Sequence, residues 1–201
     1  MTIKRINDYD DPRFSTAVLR QHGAFLADGQ PCAFEIIGPR TAMVDCPPAC
    51  LAEAVETFRF YAEHITEFRD RQGALLMTLP PVMLFPVAVA DIQPSQFFVD
   101  ASKLAAVADF VAAPEDVVVP LAPMAGRYVA CDGHTRLCLA AQRGWTQVQG
   151  FLTSDMGTYI AAFVQEAHAR GVYTPADLPV LPHEEYRQRW DGFCDEFFAR
   201  R

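Results

Sequence analysis

The chain has 201 residues, of which 51% are hydrophobic and 21% are charged, as in folded globular proteins and unlike disordered ones. Its formal net charge of -8 and its lack of a basic run disfavour a protein that binds the DNA backbone. The sequence has no apolar stretch of membrane-spanning length and no hydrophobic signal-peptide core, so we expect a cytoplasmic protein that contacts neither DNA nor membrane.

The cysteines do not form a metal-binding pattern. They stand at positions 32, 46, 50, 131, 138 and 194. Only Cys46 and Cys50 are close in sequence, and a structural zinc site needs a second matching pair. In a reducing cytoplasm we expect free thiols, with Cys46 and Cys50 as small packing residues. A metal or redox role for these two residues is the alternative.

The N-terminal region predicts a small sheet. Asp28-Gly29 joins two β-favouring segments, residues 24–27 and 30–37, which is the pattern of a hairpin with a two-residue turn. Residues 41–44 predict a third strand, and residues 75–78 predict a fourth after Gly73.

A long helix is predicted between these strands, from about Pro48 to Arg69, with Asp45 as its cap. Its apolar positions recur at helical spacing: Leu51, Val55, Phe58, Tyr61, Ile65 and Phe68. Residues 79–86 then form a stiff apolar connector between the two halves of the chain.

The strongest functional signal is a turn rich in ionisable groups that follows a β-favouring segment, residues 128–131. The turn consists of Asp132, Gly133, His134, Thr135 and Arg136. Asp132 is expected to cap the helix that follows, and Gly133 lets a ligand approach the backbone. Unpaired N–H groups, the helix dipole and Arg136 suit an anion. The alternative is an ordinary Asp-Gly turn before a capped helix.

At this turn the sequence resembles the ParB/sulfiredoxin superfamily, whose signature turn also lies between a strand and an Ala/Leu-rich helix. Residues 87–95, which contain Ile92-Gln-Pro94, resemble its opening strand and I-x-P segment. The resemblance covers about residues 85–165. It implies three further elements, a helix at 103–111 and strands at 117–120 and 147–152.

The resulting fold expectation is an α+β protein with a ParB/sulfiredoxin-like mixed sheet, preceded by the hairpin and the long helix. The expected domains are an N-terminal region at 1–84, the ParB/sulfiredoxin-like domain at 85–165 and a helical tail at 166–201.

Two helices are predicted towards the C-terminus. Ser154 and Asp155 should begin a helix over residues 156–170, closed by Gly171. The final helix, residues 183–198, carries an aromatic stripe that should dock on the body of the protein or on a second copy in a homodimer. The stripe consists of Tyr186, Trp190, Phe193 and Phe197.

The resemblance implies a function as a nucleotide-dependent phosphotransferase, since free-serine kinases of the superfamily carry Asp-Gly-His-His-Arg at this turn. Asp132 would act with Mg²⁺ or the substrate hydroxyl, and His134 in phosphate or proton transfer. The cofactor would be ATP or ADP with Mg, and the partner a small molecule or nucleotide. The implied ligand-binding residues are Gly133, Thr135, Arg136, Ser95 and Gln96.

The chain also departs from each branch of the superfamily. Thr135 replaces the second histidine of the kinases, and Ser95 and Gln96 stand where those kinases carry a catalytic glutamate. Sulfiredoxins place a cysteine where this chain has His134. ParB proteins bind nucleotide at a Gly-Glu-Arg-Arg turn, and the second arginine is absent here. A non-catalytic ligand-binding or interaction module is therefore the alternative function.

Overall fold

The computed structural model describes residues 1–153 and 157–200. The chain forms two compact units, Met1–Met83 and Leu84–Arg201. Helices and mixed sheets are both present, which confirms the α+β class. In the part of the chain that the structure describes, no helix combines the length and the apolar character needed to cross a bilayer.

The first unit is built on one sheet whose strands lie side by side in chain order. They are β1 (Ile3–Arg5), β2 (Ala24–Ala27), β3 (Gln30–Ile36), β4 (Thr41–Asp45), β5 (Glu67–Arg69) and β6 (Leu75–Thr78). The predicted hairpin is confirmed, because β2 and β3 pair antiparallel around Asp28 (φ 46) and Gly29 (φ 84). Both turn residues are left-handed, as a two-residue hairpin turn requires. The strands predicted at 41–44 and 75–78 are confirmed as β4 and β6.

The long helix predicted from Pro48 to Arg69 is wrong. After a short α1 (Thr16–Arg20), the unit contains α2 (Leu51–Arg59), which a 3₁₀ turn precedes. The Arg59 side chain donates to the carbonyl of Ile65 at 3.0 Å and to that of Glu63 at 2.9 Å, where the chain turns after the helix. Phe68 then lies in β5, which pairs parallel to β4. Beyond α2, the apolar residues that recur at helical spacing therefore lie in a turn and then in a strand, and not in a helix.

The expectation of free packing thiols is wrong for two cysteines. Cys32 and Cys46 form a disulfide, with Cα atoms 4.3 Å apart. The antiparallel register of β3 and β4 pairs Ala33 with Asp45, so the next residues outward, Cys32 and Cys46, face each other. Cys50 remains a buried free thiol in the same apolar core.

The second unit is built on a mixed sheet with the strand order β7-β12-β10-β11-β8 among the described residues. These strands are β7 (Phe85–Ala88), β8 (Ile92–Pro94), β10 (Val118–Met124), β11 (Arg127–Ala130) and β12 (Gln147–Leu152). A separate parallel pair joins β9 (Val99–Asp100) to β13 (Val180–Leu181). In the region 87–95, expected to contain an opening strand and an I-x-P segment, a 3₁₀ turn at Val89–Asp91 separates β7 from β8.

Helices cover both faces of this sheet. They are α3 (Ala101–Ala108), α4 (His134–Gln142), α5 (Ile160–Ala169), α6 (His183–Tyr186) and α7 (Gly192–Ala199). Apolar residues of α3 and α4 form one core with one face of the sheet, and α5 packs on Val129 of the opposite face. The predicted start of the helix before Gly171, at 154–156, lies outside the described residues. Gly144 (φ 69) and Gly171 (φ 77) are left-handed just after α4 and α5, and the helix end predicted at Gly171 is confirmed.

The predicted terminal helix is continuous from α6 to α7 through a π-helical segment at Arg187–Asp191. Its aromatic stripe packs on the body of the same unit. Ring centroids of Trp190 and Phe193 each lie 5.0 Å from that of Phe97, and that of Phe197 lies 5.0 Å from that of Phe163. The stripe therefore docks within the chain, and the homodimer stays a prediction.

Candidate functional site

The sheet brings the predicted site residues together at one edge. β11 pairs parallel to β8, with Ala130 opposite Pro94. The carboxyl ends of parallel neighbours lie at the same edge of a sheet. Ser95 and Gln96, which follow β8, therefore lie beside the Asp132–Arg136 turn, which follows β11.

Gly133, and not Asp132, is the N-cap of α4, so the predicted capping role of Asp132 is wrong. Gly133 has φ 80, a conformation that side chains disfavour. A Cβ added here would lie 2.7 Å from Val119 Cγ1 and 3.1 Å from Arg136 Nη2. The turn therefore needs glycine for its backbone angle and also for the close approach of two side chains, while Asp132 extends into solvent.

His134 is buried and acts as a hydrogen-bond acceptor. Its Nε2 accepts the backbone N–H groups of Ser95 and Gln96, each at 3.1 Å. The Ser95 hydroxyl lies 3.2 Å from the same nitrogen and donates to the carbonyl of Ala130 at 2.7 Å. The imidazole thus ties the start of α4 to the segment after β8.

Burial lowers the pKa of His134 from 6.5 to about 4. The Asp132 carboxylate and a hydrogen bond with the Ala130 backbone raise this pKa, and Arg136 lowers it, but burial is the largest effect. A neutral imidazole has one acceptor nitrogen, and here that nitrogen already faces two amide donors. His134 is therefore suited to holding the fold of the turn more than to accepting a substrate proton.

Arg136 is half-buried and lies back over the turn. Its Nη1 donates to the carbonyl of Val118 at 2.7 Å, while Nη2 lies against Gly133. Burial lowers the pKa of Arg136 and the Asp132 carboxylate raises it, and an arginine stays charged in either case. One edge of the guanidinium is thus bound to the sheet, and the rest remains beside the first turn of α4.

The first turn of α4 keeps unpaired donors. The first helical bond in the described structure joins the N–H of Leu137 to the carbonyl of Gly133. Among the described residues, no acceptor is bonded to the backbone N–H of Thr135 or Arg136. These amides are the groups that bind anions at helix starts.

The described residues include no group of three or more His, Cys, Asp or Glu side chains able to hold a metal ion. Two cavities of about 530 and 370 Å³ are lined by residues outside the turn.

Outside the turn, hydrogen bonds connect several residues that the sequence did not single out. Asp100 is fully buried, caps α3 by accepting the Ser102 N–H at 2.8 Å, and contacts His183 Nδ1 at 2.7 Å. The Gln96 amide donates to the Tyr186 hydroxyl at 3.4 Å. An aspartate directly before an Ala-Ser-Lys helix start is a capping signal, but nothing local marks His183 as its partner.

The second unit is thus defined as an α+β domain in which a buried histidine joins two turns at the edge of a mixed sheet. No family model matches the chain, and no curated protein matches it. Among solved structures, the chain is similar to the crystal structure of protein Atu1540 from Agrobacterium tumefaciens, with 18% identity and a TM-score of 0.31. That similarity covers 48% of this chain and about half (53%) of the length of the other.

Proposed function

We propose that the protein binds a phosphate-bearing small ligand, such as a nucleotide, at the Asp132–Arg136 turn. We further propose that it does so as a ligand-binding module of the ParB/sulfiredoxin type. The observation that carries the proposal is that the amides of Thr135 and Arg136 have no acceptor among the described residues, in a turn where the Arg136 guanidinium lies against Gly133. Backbone amides at a helix start and a guanidinium are donors that suit the oxygens of a phosphate.

Asp132 sets a condition on this binding. Its exposed carboxylate neighbours the same donors and would repel a bare phosphate. A divalent cation between the carboxylate and the phosphate oxygens removes that repulsion, as Mg²⁺ does when bound by one carboxylate and phosphate. We therefore expect the affinity for ATP or ADP to depend on Mg²⁺.

The geometry of His134 favours binding over turnover. A general base needs a free lone pair within reach of the substrate hydroxyl, and Nε2 is occupied by the amides of Ser95 and Gln96. The buried Ser95 hydroxyl is also bonded to the sheet. A small-molecule phosphotransferase, which the kinase-like turn implies, would have to work through Asp132 alone.

The test is calorimetric titration of the purified protein with ATP and ADP, with and without Mg²⁺. We expect Arg136→Ala to weaken nucleotide binding by roughly tenfold or more, because a charge-assisted hydrogen bond is lost. Arg189→Ala is the matched control, since Arg189 is paired with Glu185 on the surface of the C-terminal helix. Full nucleotide affinity in Arg136→Ala would refute the proposed site.

Turnover is tested separately. The protein is incubated with ATP or ADP, Mg²⁺ and a panel of small hydroxy compounds, and the products are examined by ³¹P NMR. Binding without a phosphorylated product supports the module. A product that disappears in Asp132→Asn would instead establish the phosphotransferase.

A further inference from the structure

We propose that a second binding site, independent of the turn, lies at the β7 edge of the sheet in the second unit and takes a neutral polyhydroxylated small molecule of the carbohydrate class. The site is a cavity of about 370 Å³. Its lining residues are Pro86, Pro114, Glu115, Gly144, Trp145, Thr146, Gln147, Val148 and Gln149. The volume is at the small end of the range for ligand pockets.

The strand register gives this site one polar wall. β7 and β12 pair antiparallel, with Pro86 opposite Gln149 and Ala88 opposite Gln147. Alternate residues of a strand share a face, so the two glutamine side chains point the same way, and that of buried Val148 points into the core. The wall therefore presents two adjacent side-chain amides.

Those amides have no partner within the described protein. Residues 1–153 and 157–200 provide no hydrogen bond to the side chains of Gln147 or Gln149, nor to those of Thr146 and Glu115. By contrast, the half-buried Gln21 side chain donates a hydrogen bond to the carbonyl of Ile36 and accepts one from its N–H. Each free amide offers both a donor and an acceptor, which matches hydroxyl groups that can also act as either.

Three of the remaining lining residues have ring-shaped apolar side chains. Trp145 is half-buried against the core of the second unit, and two proline rings, Pro86 and Pro114, line the same cavity. An indole contributes a large apolar surface at little cost in conformational freedom. A sugar ring fits such a surface because its C–H face is apolar while its hydroxyls lie around the rim.

The charges favour a neutral ligand. Glu115 is the one charged side chain in the lining, and the Arg143 guanidinium lies 5.2 Å from the centroid of the Trp145 ring. The Glu115 carboxylate would repel a phosphate, and the Arg143 guanidinium would repel an ammonium group placed over the indole. Because the site carries one charge of each sign, it favours a neutral ligand over an anion or a cation.

The test uses the fact that the chain has two tryptophans, Trp145 and Trp190. In a Trp190→Phe variant the fluorescence reports on Trp145 alone, and this variant is titrated with glucose, maltose and N-acetylglucosamine. We expect saturable quenching by at least one sugar. Gln147→Ala and Gln149→Ala should each weaken it by roughly threefold to tenfold, the value of one hydrogen bond.

Gln72→Ala is the control, since Gln72 is an exposed glutamine of the first unit. The absence of quenching by all three sugars would overturn the proposal. So would equal sugar affinity in the Gln147→Ala/Gln149→Ala double variant. Tetramethylammonium chloride and a proline-rich decapeptide are titrated in parallel, and binding of either one without sugar binding would show that the ligand class is wrong.

Discussion

The imidazole Nε2 of His134 accepts the backbone N–H of Ser95 at 3.1 Å, a bond between residues 39 positions apart. This bond attaches the first residue of α4 to the segment after β8. The same nitrogen also accepts the N–H of Gln96. Two segments of the candidate site therefore depend on one buried ring, and the stability of the site should be sensitive to the loss of that ring.

Replacing His134 should destabilise the second unit. His134→Ala leaves the amides of Ser95 and Gln96 buried without an acceptor and opens a cavity, so we expect a loss of about 2–4 kcal/mol in the free energy of unfolding. Thr135→Ala, on the same helical turn but half-exposed, should change it by less than about 1 kcal/mol. Urea denaturation measures both, and equal losses would contradict the structural role of His134.

The same histidine predicts a pH dependence. Its pKa is 6.5 in the unfolded chain and about 4 in the folded protein, so between these values the unfolded state binds more protons. The contribution of neutral His134 to stability is complete above pH 6.5. It falls as the pH is lowered towards 4, with a slope of at most about 1.4 kcal/mol per pH unit.

The measurement is the free energy of unfolding at pH 7, 6 and 5, compared between the wild type and His134→Ala. Other groups titrate in both proteins, so the difference between them isolates the histidine. We expect the two curves to converge as the pH falls. Parallel curves would mean that the imidazole is protonated in the folded protein or exposed to solvent.

Gly133 and Gly29 form a matched pair for testing the tight turn. Both have positive φ, at 80 and 84, but a Cβ at Gly29 meets nothing within 4 Å, whereas at Gly133 it meets Val119 and Arg136. Gly29→Ala should cost about 1 kcal/mol from backbone strain alone. Gly133→Ala should lower the free energy of unfolding by roughly 1–3 kcal/mol more than Gly29→Ala, because the added methyl group would be too close to Val119 and Arg136. It should also displace the Arg136 guanidinium. Thermal unfolding measures the stability of both variants. Equal losses of stability would refute the close packing of Val119 and Arg136 around Gly133.

The Cys32–Cys46 disulfide should stabilise the first unit. It closes a loop with a sequence separation of 14, for which the loss of chain entropy in the unfolded state corresponds to about 3 kcal/mol. Adding dithiothreitol, or the double substitution Cys32→Ser/Cys46→Ser, should lower the free energy of unfolding by about that energy and should therefore lower Tm. Cys194→Ser is the control, since Cys194 is a half-buried free thiol. Thiol labelling of the unreduced, denatured protein should detect four free cysteines, and detection of six would contradict the disulfide.

The local features of the fold were predictable from the sequence. The Asp28-Gly29 turn was predicted correctly because only residues that tolerate positive φ suit it, and Gly171 ends its helix for the same reason. β12 spans residues 147–152, the limits expected from the superfamily resemblance. Each of these features depends on neighbouring residues along the chain.

Features that depend on distant contacts were missed. The sequence predicted α2 to continue past Arg59, because the periodicity of apolar residues does not reveal that Phe68 pairs in a sheet with β4. Asp132 was expected to cap α4, but the N-cap is Gly133, at a position where an added Cβ would contact the distant residue Val119.

The sequence by itself determined that ionisable residues crowd the turn after β11, because residue types and spacing are local information. Only the tertiary structure decided what those residues do. The parallel pairing of β8 with β11 brings the amides of Ser95 and Gln96 to His134, so a ring that the sequence offered as a proton carrier becomes a buried acceptor. The physical reason is that the protonation and the free lone pairs of a histidine are set by burial and by its partners, and both come from chain segments far away in sequence.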